Sequence, residues 1–453
     1  MIGKSPNPEQ RHLFLPNLSE FINPKHELYL LAEKIDWNVF ESQFAPLYAS
    51  VGQPAKPIRL MVGLLILKQL YDLGDETVMA EWISNPYFQY FCGAVVFQWK
   101  FPCDPSDLVH FRHRIGAEGV EKILAVSILL HGKEVLREAI SIDTTVQEKN
   151  ITYPTDTKLA VKIIKHCRQI ADKEGIELRQ SYKYVAKDLL KKANAKSEKK
   201  KKEKTKARRK LKTIANRLVR EIKRKISVES LAKNEAKIAI YEKVLNQKKD
   251  DRDKIYSLHA PEVSCIAKGK EHKKYEFGSK VAFSVSQKSN VIVAAVSFRG
   301  NPNDNKTLEK PLEQQARMTG VRAKKAYTDR GCQSQQIGET EILSPSHGKG
   351  KTASEKARLR KSFRRRAAIE PDIGHLKSDY GLDRNYLKGE VGDEINAILA
   401  ASAFNFKSWM RKAIARLIFA INLWLRWQSK MRNAADRRFS GDLSKVQQNE
   451  YLA

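Results

Sequence analysis

Cysteine is scarce and unpatterned in this chain. Its five cysteines, Cys92, Cys103, Cys167, Cys265 and Cys332, form no C-x-x-C pair, which supports neither a disulfide framework nor a zinc ribbon. His110 and His113 lie close to Cys103, but no second cysteine completes a tetrahedral set. Long apolar runs are missing too. The longest, AIARLIFAINLWLRW from Ala413 to Trp427, is broken by Arg416 and Arg426 and falls short of the roughly 20 residues that span a bilayer. It reads as an amphipathic helix packing on the core or on a second subunit, with a membrane-surface helix as the alternative. The opening residues, MIGKSPNPEQ, carry no apolar signal-peptide core, so the expected setting is a reducing cytoplasm. The third shortage is of acid: 52 acidic residues stand against 83 basic ones, for a formal net charge of +31. Such an excess opposes compaction unless a polyanion is the partner, and nucleic acid leads an anionic membrane surface as that partner.

What is present suits a large soluble protein. At 453 residues, 42% hydrophobic and 30% charged, the chain is long enough for roughly two or three folded units. From about Leu28 to Gly116 it reads as helical. IRLMVGLLILKQLYDL followed by GDETVMAEWISN reads as helix, turn, helix, with Asp75 or Thr77 placed to cap the second. That pattern answers to a DNA-reading helix-turn-helix and equally to a buried α-hairpin. REAISIDTTVQ reads as a strand ending in an exposed acid, Asp143. From Thr157 to Asn246 the pattern is helical again, and Lys191–Lys210 holds about 12 basic residues in 20: an inserted helical bundle with a cationic tip suited to phosphate.

Short strands return after Asp253 in KIYSLHAPEV, KYEFGSKVAFSVS and NVIVAAVSFRG, the last two as neighbours. A helix ending at Gly320 follows, then AKKAYTDRG, a second strand ending on an acid, Asp329. ETEILSP reads as a further strand before a basic arm. The long apolar helix GDEINAILAASAFNFKSWMRKAIARL is expected to cover one face of a mixed sheet with helices on both faces.

Three acids stand out by position: Asp143, Asp329 and, within FRRRAAIEPDIGHLK, Glu370. If the two strands are neighbours, both aspartates emerge at one sheet edge, and a following helix could bring Glu370 alongside. Carboxylates converging without cysteine or histidine suit Mg²⁺ or Mn²⁺. Two such ions would activate the attacking oxygen and stabilise the leaving one in an in-line displacement. Phe363, Arg366, Glu370 and Lys377 fall three, four and seven residues apart, which places them on one helix face. Pro371 modifies that picture: it is accommodated if the regular helix starts near Ile369, leaving Glu370 in a first turn favourable to anions.

SIDTTVQEKNITYPTDTKL, YTDRG and FRRRAAIEPDIGHLK resemble the three active-site blocks of bacterial insertion-sequence transposases of the DDE superfamily. The resemblance is to the group with a tyrosine, arginine, glutamate, lysine signature around the last acid, here Phe363, Arg366, Glu370 and Lys377, and it covers nearly the whole chain. It departs in two places: Phe363 stands where the signature has tyrosine, and Cys332 where relatives often have an aromatic. The resemblance implies an α/β chain with a ribonuclease-H-like mixed-sheet catalytic domain (residues 131–156 and 254–392). A basic helical insertion (157–253) would interrupt it. An all-α N-terminal domain (1–130) for DNA-end binding or dimerisation would precede it, and C-terminal helices (393–453) would follow.

It further implies that Asp143, Asp329 and Glu370 bind the metal, with Mg²⁺ (or Mn²⁺) as a pair of ions. Arg366, Lys377, Arg364 and Arg365, with Lys199, Lys200, Arg208 and Arg209 of the insertion, are the DNA-contacting candidates. The partners implied are double-stranded DNA, as terminal inverted repeats and target, and a second copy in a synaptic homodimer. No membrane partner is implied, and the setting is the cytoplasm with its nucleoid. The implied reaction is hydrolysis at the element's ends, then attack of the freed 3′-hydroxyl on target DNA. A metal-dependent nuclease without strand transfer, or a non-catalytic DNA-binding repressor, are the alternatives.

Overall fold

The computed structural model describes residue 3 and residues 15–195, 200–248, 250–267, 274–345 and 352–450, with side chains described to residue 429. The chain divides into two units, Met1–Val135 with Ser402–Ala453, and Leu136–Ala401.

The first unit is helical: α1 (Leu18–Phe21), α2 (Glu27–Lys34), α3 (Asn38–Phe44), α4 (Ile58–Leu70), α5 (Asp75–Ser84), α6 (Pro86–Phe91) and α7 (Pro105–Leu129). α4 is apolar all round and buried almost throughout, as expected of a central helix. Gly63 lets it approach α6, since a Cβ there would meet Cys92 Sγ at 2.9 Å. α5 starts where the Gly-Asp break suggests. The Gly74 amide donates to Thr77 Oγ1 at 2.7 Å. Asp75 accepts two hydrogen bonds from the buried Arg112, at 2.9 and 2.5 Å, and pairs with Lys68 at 2.9 Å. Asp75 thus ties three helices together, and the exposed face of α5 carries Glu76 and Glu81. A face of that sign repels phosphate, so the hairpin reading suits this pair. α7 breaks at Gly116, whose φ of 60° and ψ of −168° lie outside the helical range.

The second unit is built on a mixed sheet. β1 (Ile140–Lys149) is followed by α8 (Asp156–Lys173), α9 (Lys183–Ala193), α10 (Lys201–Lys225) and α11 (Val228–Asn246). These four helices share a core that includes Ile163, Leu211, Leu218 and Val244. The inward residues of α10, Ala207, Leu211, Ile214, Leu218 and Ile222, recur at three and four, which makes the helix amphipathic despite its charge. The chain then forms β2 (Ser264–Ile266), β3 (Glu276–Ser286), β4 (Ile292–Phe298), α12 (Glu309–Thr319), β5 (Lys325–Tyr327), β6 (Gln335–Ile337) and β7 (Thr340–Leu343). It ends with α13 (Ala353–Arg366), α14 (Ile369–Asp379), β8 (Arg384–Asn385) and α15 (Gly389–Glu450).

The sheet order is β2-β3-β1-β5-β7-β6, with β4 also on β3 and β8 also on β1. β1 pairs antiparallel with β3 over nine residues and parallel with β5. The result is a mixed sheet flanked by helices, as the sequence leads one to expect.

Three expectations need correction. Asp143 does not end its strand: β1 continues to Lys149, because Thr144, Thr145 and Val146 are β-branched and pair with β3. KIYSLHAPEV is not a strand. Ile255 instead joins the helical core, Tyr256 packs at a tilt against the Phe277 ring, and pairing begins only at Ser264. The apolar tract of α15 does not pack on the core along its length: Ile418, Phe419, Leu423, Trp424, Leu425 and Trp427 are exposed. No helix among the described residues is long and apolar enough to cross a membrane.

A buried polar network holds the start of α15 to the sheet. Lys149 Nζ pairs with Asp393 Oδ1 at 2.6 Å and Glu262 Oε1 at 3.3 Å. Asn385 donates to the same Asp393 oxygen at 2.6 Å. Gln147 donates to the Asp393 carbonyl at 3.1 Å and accepts from Asn396 at 2.9 Å. Burial pushes the Asp393 carboxyl above its usual range, against the pull of Lys149.

Candidate active site

The pairing of β1 with β5 sets the site. Ile140 faces Ala326 and Ser141 faces Tyr327; Asp143 lies two residues further along β1, and Asp329 lies two residues past the end of β5. Adjacent strands run about 5 Å apart, and the two carboxylates are near neighbours at one sheet edge. Asp143 Oδ1 accepts from the Thr144 amide at 2.7 Å. Asp329 Oδ1 accepts from the Arg330 amide at 2.6 Å, and its carbonyl accepts from the Cys332 amide at 3.1 Å.

One guanidinium serves both acids. Arg366 Nη2 donates to Asp143 Oδ2 at 3.3 Å, and Nη1 lies 3.9 Å from Asp329 Oδ1. The Arg366 side chain is 12% exposed against 63% for Asp329, and its Nε is buried without a hydrogen-bond partner. α13 is aimed here by two contacts. Phe363, one turn before Arg366, meets the Tyr327 ring edge-on with centroids 5.4 Å apart. Gln287 Nε2 donates both to the Ser362 carbonyl and to Ser141 Oγ, each at 3.1 Å. The Phe363 ring therefore packs without needing a hydroxyl.

The stretch from Phe363 to Lys377 is not one helix face. α13 ends at Arg366, a turn follows at Ala367 and Ala368, and α14 begins at Ile369 with Pro371 in its first turn. Ile369 and Leu376 are buried, and Glu370 is exposed. Asp372, beside it, is buried against Asn290 Nδ2 at 3.0 Å, and burial raises its carboxyl above the usual range. Glu370 is not drawn into the aspartate pair: among the described residues no group of three or more His, Cys, Asp or Glu side chains is gathered as a metal cage. The Asp143–Asp329 pair does fit a divalent cation, since it offers hard oxygens and one cationic group already reaches both.

Asp304 is a further residue at this site. In the turn of GNPNDN, its Oδ1 accepts from Thr144 Oγ1 at 3.1 Å and pairs with Lys280 Nζ at 2.6 Å. Next to it, Asn305 Oδ1 accepts from the Gln333 amide at 2.8 Å, so this turn braces the segments after both aspartates. The only signal was the Asn- and Asp-rich turn itself, whose recruitment depends on the β3–β4 hairpin. Cys332 is buried here, and burial, with the charges of Asp304, Asp329 and Asp143, pushes its thiol up to about 11. It is no nucleophile at neutral pH.

The cationic candidates lie on α13, on α14 and in the insertion. Arg364 and Arg365 are exposed in the last turn of α13, and Lys377 is half-buried on α14. In the insertion Lys200, Arg208 and Arg209 are exposed, although Arg208 also donates to the Ala193 carbonyl at the end of α9, at 3.4 Å. Lys199 lies outside the described residues.

Comparison with known proteins gives two family matches: residues 16–114 match a model described as a transposase domain (DUF772), and residues 251–406 match a transposase DDE domain. The second match holds Asp329 and Glu370; Asp143 precedes it. A Rhizobium meliloti protein described as the uncharacterized protein ORF8 in the nfe locus is 43% identical over 187 residues, covering 40% of this chain and 90% of that protein. No solved structure matches.

Proposed function

Because the chain belongs to the DDE transposases of insertion sequences, we propose that it cleaves an element's ends and joins the freed 3′-hydroxyls to target DNA. One observation carries the residue-level reading: one guanidinium reaches both Asp143, on β1, and Asp329, two residues past the end of the neighbouring parallel strand β5. These two carboxylates would hold Mg²⁺ or Mn²⁺; Glu370, exposed on α14 and outside the pair, would have to move in as the third acid, with a second ion completing the set. A divalent ion held by these residues would supply Lewis acidity, for activating water and for offsetting charge on the leaving oxygen.

The remaining work falls to the protein. Arg366, Lys377, Arg364 and Arg365 grip the phosphates flanking the scissile bond, since guanidinium forks match phosphate oxygens. The basic insertion, through Lys199, Lys200, Arg208 and Arg209, adds contacts that read charge and not sequence. Residues 1–130 bind the ends or dimerise. Two ends held together call for a second copy, and the exposed apolar side chains of α15 offer it a surface. The setting is the cytoplasm, where the nucleoid lies.

Direct attack by water leaves no covalent protein–DNA link. On an end-labelled duplex carrying the DNA that flanks the reading frame, with Mg²⁺, the protein should make nicks that end in 3′-hydroxyls. Nicks ending in 3′-phosphate, or protein bound covalently to the strand, would contradict this chemistry.

A further inference from the structure

The position of Arg366 has a consequence for metal loading. Two carboxylates close enough to share one guanidinium repel each other, and a cation between them relieves that repulsion. Arg366 already does so, from a side chain that is largely buried. A divalent ion would need the same oxygens. The guanidinium is nonetheless poorly settled: its Nη1 contact with Asp329 is long, at 3.9 Å, and its Nε is buried with no partner. An unsatisfied buried donor is costly, and a group holding one is well placed to exchange partners.

We infer that Arg366 is a cation latch. Its guanidinium and the divalent ion compete for Asp143 and Asp329, so the ion binds weakly until Arg366 leaves. A DNA phosphate, which can accept from Nε and Nη together, is what draws it away. Metal affinity and DNA binding are then linked through one side chain, and the linkage is reciprocal. The inference rests on the aspartate pair being the metal site, and the test separates the two.

The test titrates Mn²⁺ into the full chain without DNA, with unbound Mn²⁺ followed by electron paramagnetic resonance. Arg366→Gln should bind Mn²⁺ about tenfold tighter than the wild type, within the usual range of coupling between sites. Arg366→Lys keeps the charge without the fork and should fall between the two. In thermal unfolding, Arg366→Gln should melt lower in EDTA and gain more from Mn²⁺ than the wild type. A purely structural arginine would give the first effect without the second. If Asp143→Asn and Asp329→Asn abolish Mn²⁺ binding while both Arg366 variants bind no tighter than the wild type, the latch is overturned and the site survives. If the aspartate variants bind Mn²⁺ unchanged, the site reading fails and the latch goes with it.

Discussion

Asp143→Asn lowers cleavage of end-bearing DNA by about 10²–10³-fold, the scale on which losing one preorganised electrostatic contributor is felt, while DNA affinity stays within about twofold. The substitution is close to isosteric. The oxygen that accepts from the Thr144 amide at 2.7 Å is retained, so β1 and its pairing with β3 and β5 should persist. What is lost is the charge beside Asp329, and with it the hard anionic donor that a divalent ion needs. The Arg366 hydrogen bond at 3.3 Å is lost as well, because the amide NH2 that replaces Oδ2 cannot accept, but that arginine still faces Asp329. Binding by filter retention or fluorescence anisotropy, read beside cleavage, separates chemistry from grip. Cleavage within tenfold of the wild type would mean that Asp143 is not a ligand.

The second large effect lies away from the chemistry. Lys149→Met should destabilise the second unit by about 3–5 kcal/mol, because breaking a buried ion pair leaves its partner's charge uncompensated. Lys149 is 5% exposed and Asp393 7%. Burial already pushes the Asp393 carboxyl up, so without Lys149 it would be held in the interior against a strong preference for its neutral form. Converting Asp393 to leucine in the same chain should recover much of the loss, since an apolar pair of similar volume often replaces a buried ion pair at little cost. Denaturant unfolding of wild type, single and double variants measures both. A single variant within 1 kcal/mol of the wild type would show that the network does not hold α15 to the sheet.

The contrast between those two residues shows what the sequence makes legible. Asp143 could be picked out because a β-prone run leads to it, and Asp329 because YTDRG breaks after it. Their register across β1 and β5, which makes them a pair, is a property of strands almost two hundred residues apart and has no local mark. The same limit hid Asp304, an ordinary turn acid until the β3–β4 hairpin carries it to Thr144. The buried network around Lys149 was hidden for a related reason, since a lysine closing a strand gives no sign that a helix from the far end of the unit will bury it.

Elsewhere local signals held where they were strong and misled where they were short. Gly74 and Thr77 cap α5, and Pro371 does mark the first turn of α14. KIYSLHAPEV looked like a strand because its apolar residues pack against the helical insertion and Phe277, and apolar runs that short do not reveal which neighbour will take them. Asp75 looked like a cap and is instead the anchor for Arg112 and Lys68.

The central claim, that this fold and this acid pair serve DNA transposition, is met most directly by a strand-joining measurement. A duplex ending in the element's own terminal sequence, pre-cut to expose its 3′-hydroxyl, is incubated with the protein, Mg²⁺ and a supercoiled plasmid. The expected result is plasmid carrying the labelled end, with joining lost in Asp143→Asn and Asp329→Asn. Hydrolysis of the duplex with no joined product would contradict the account and leave a nuclease in its place.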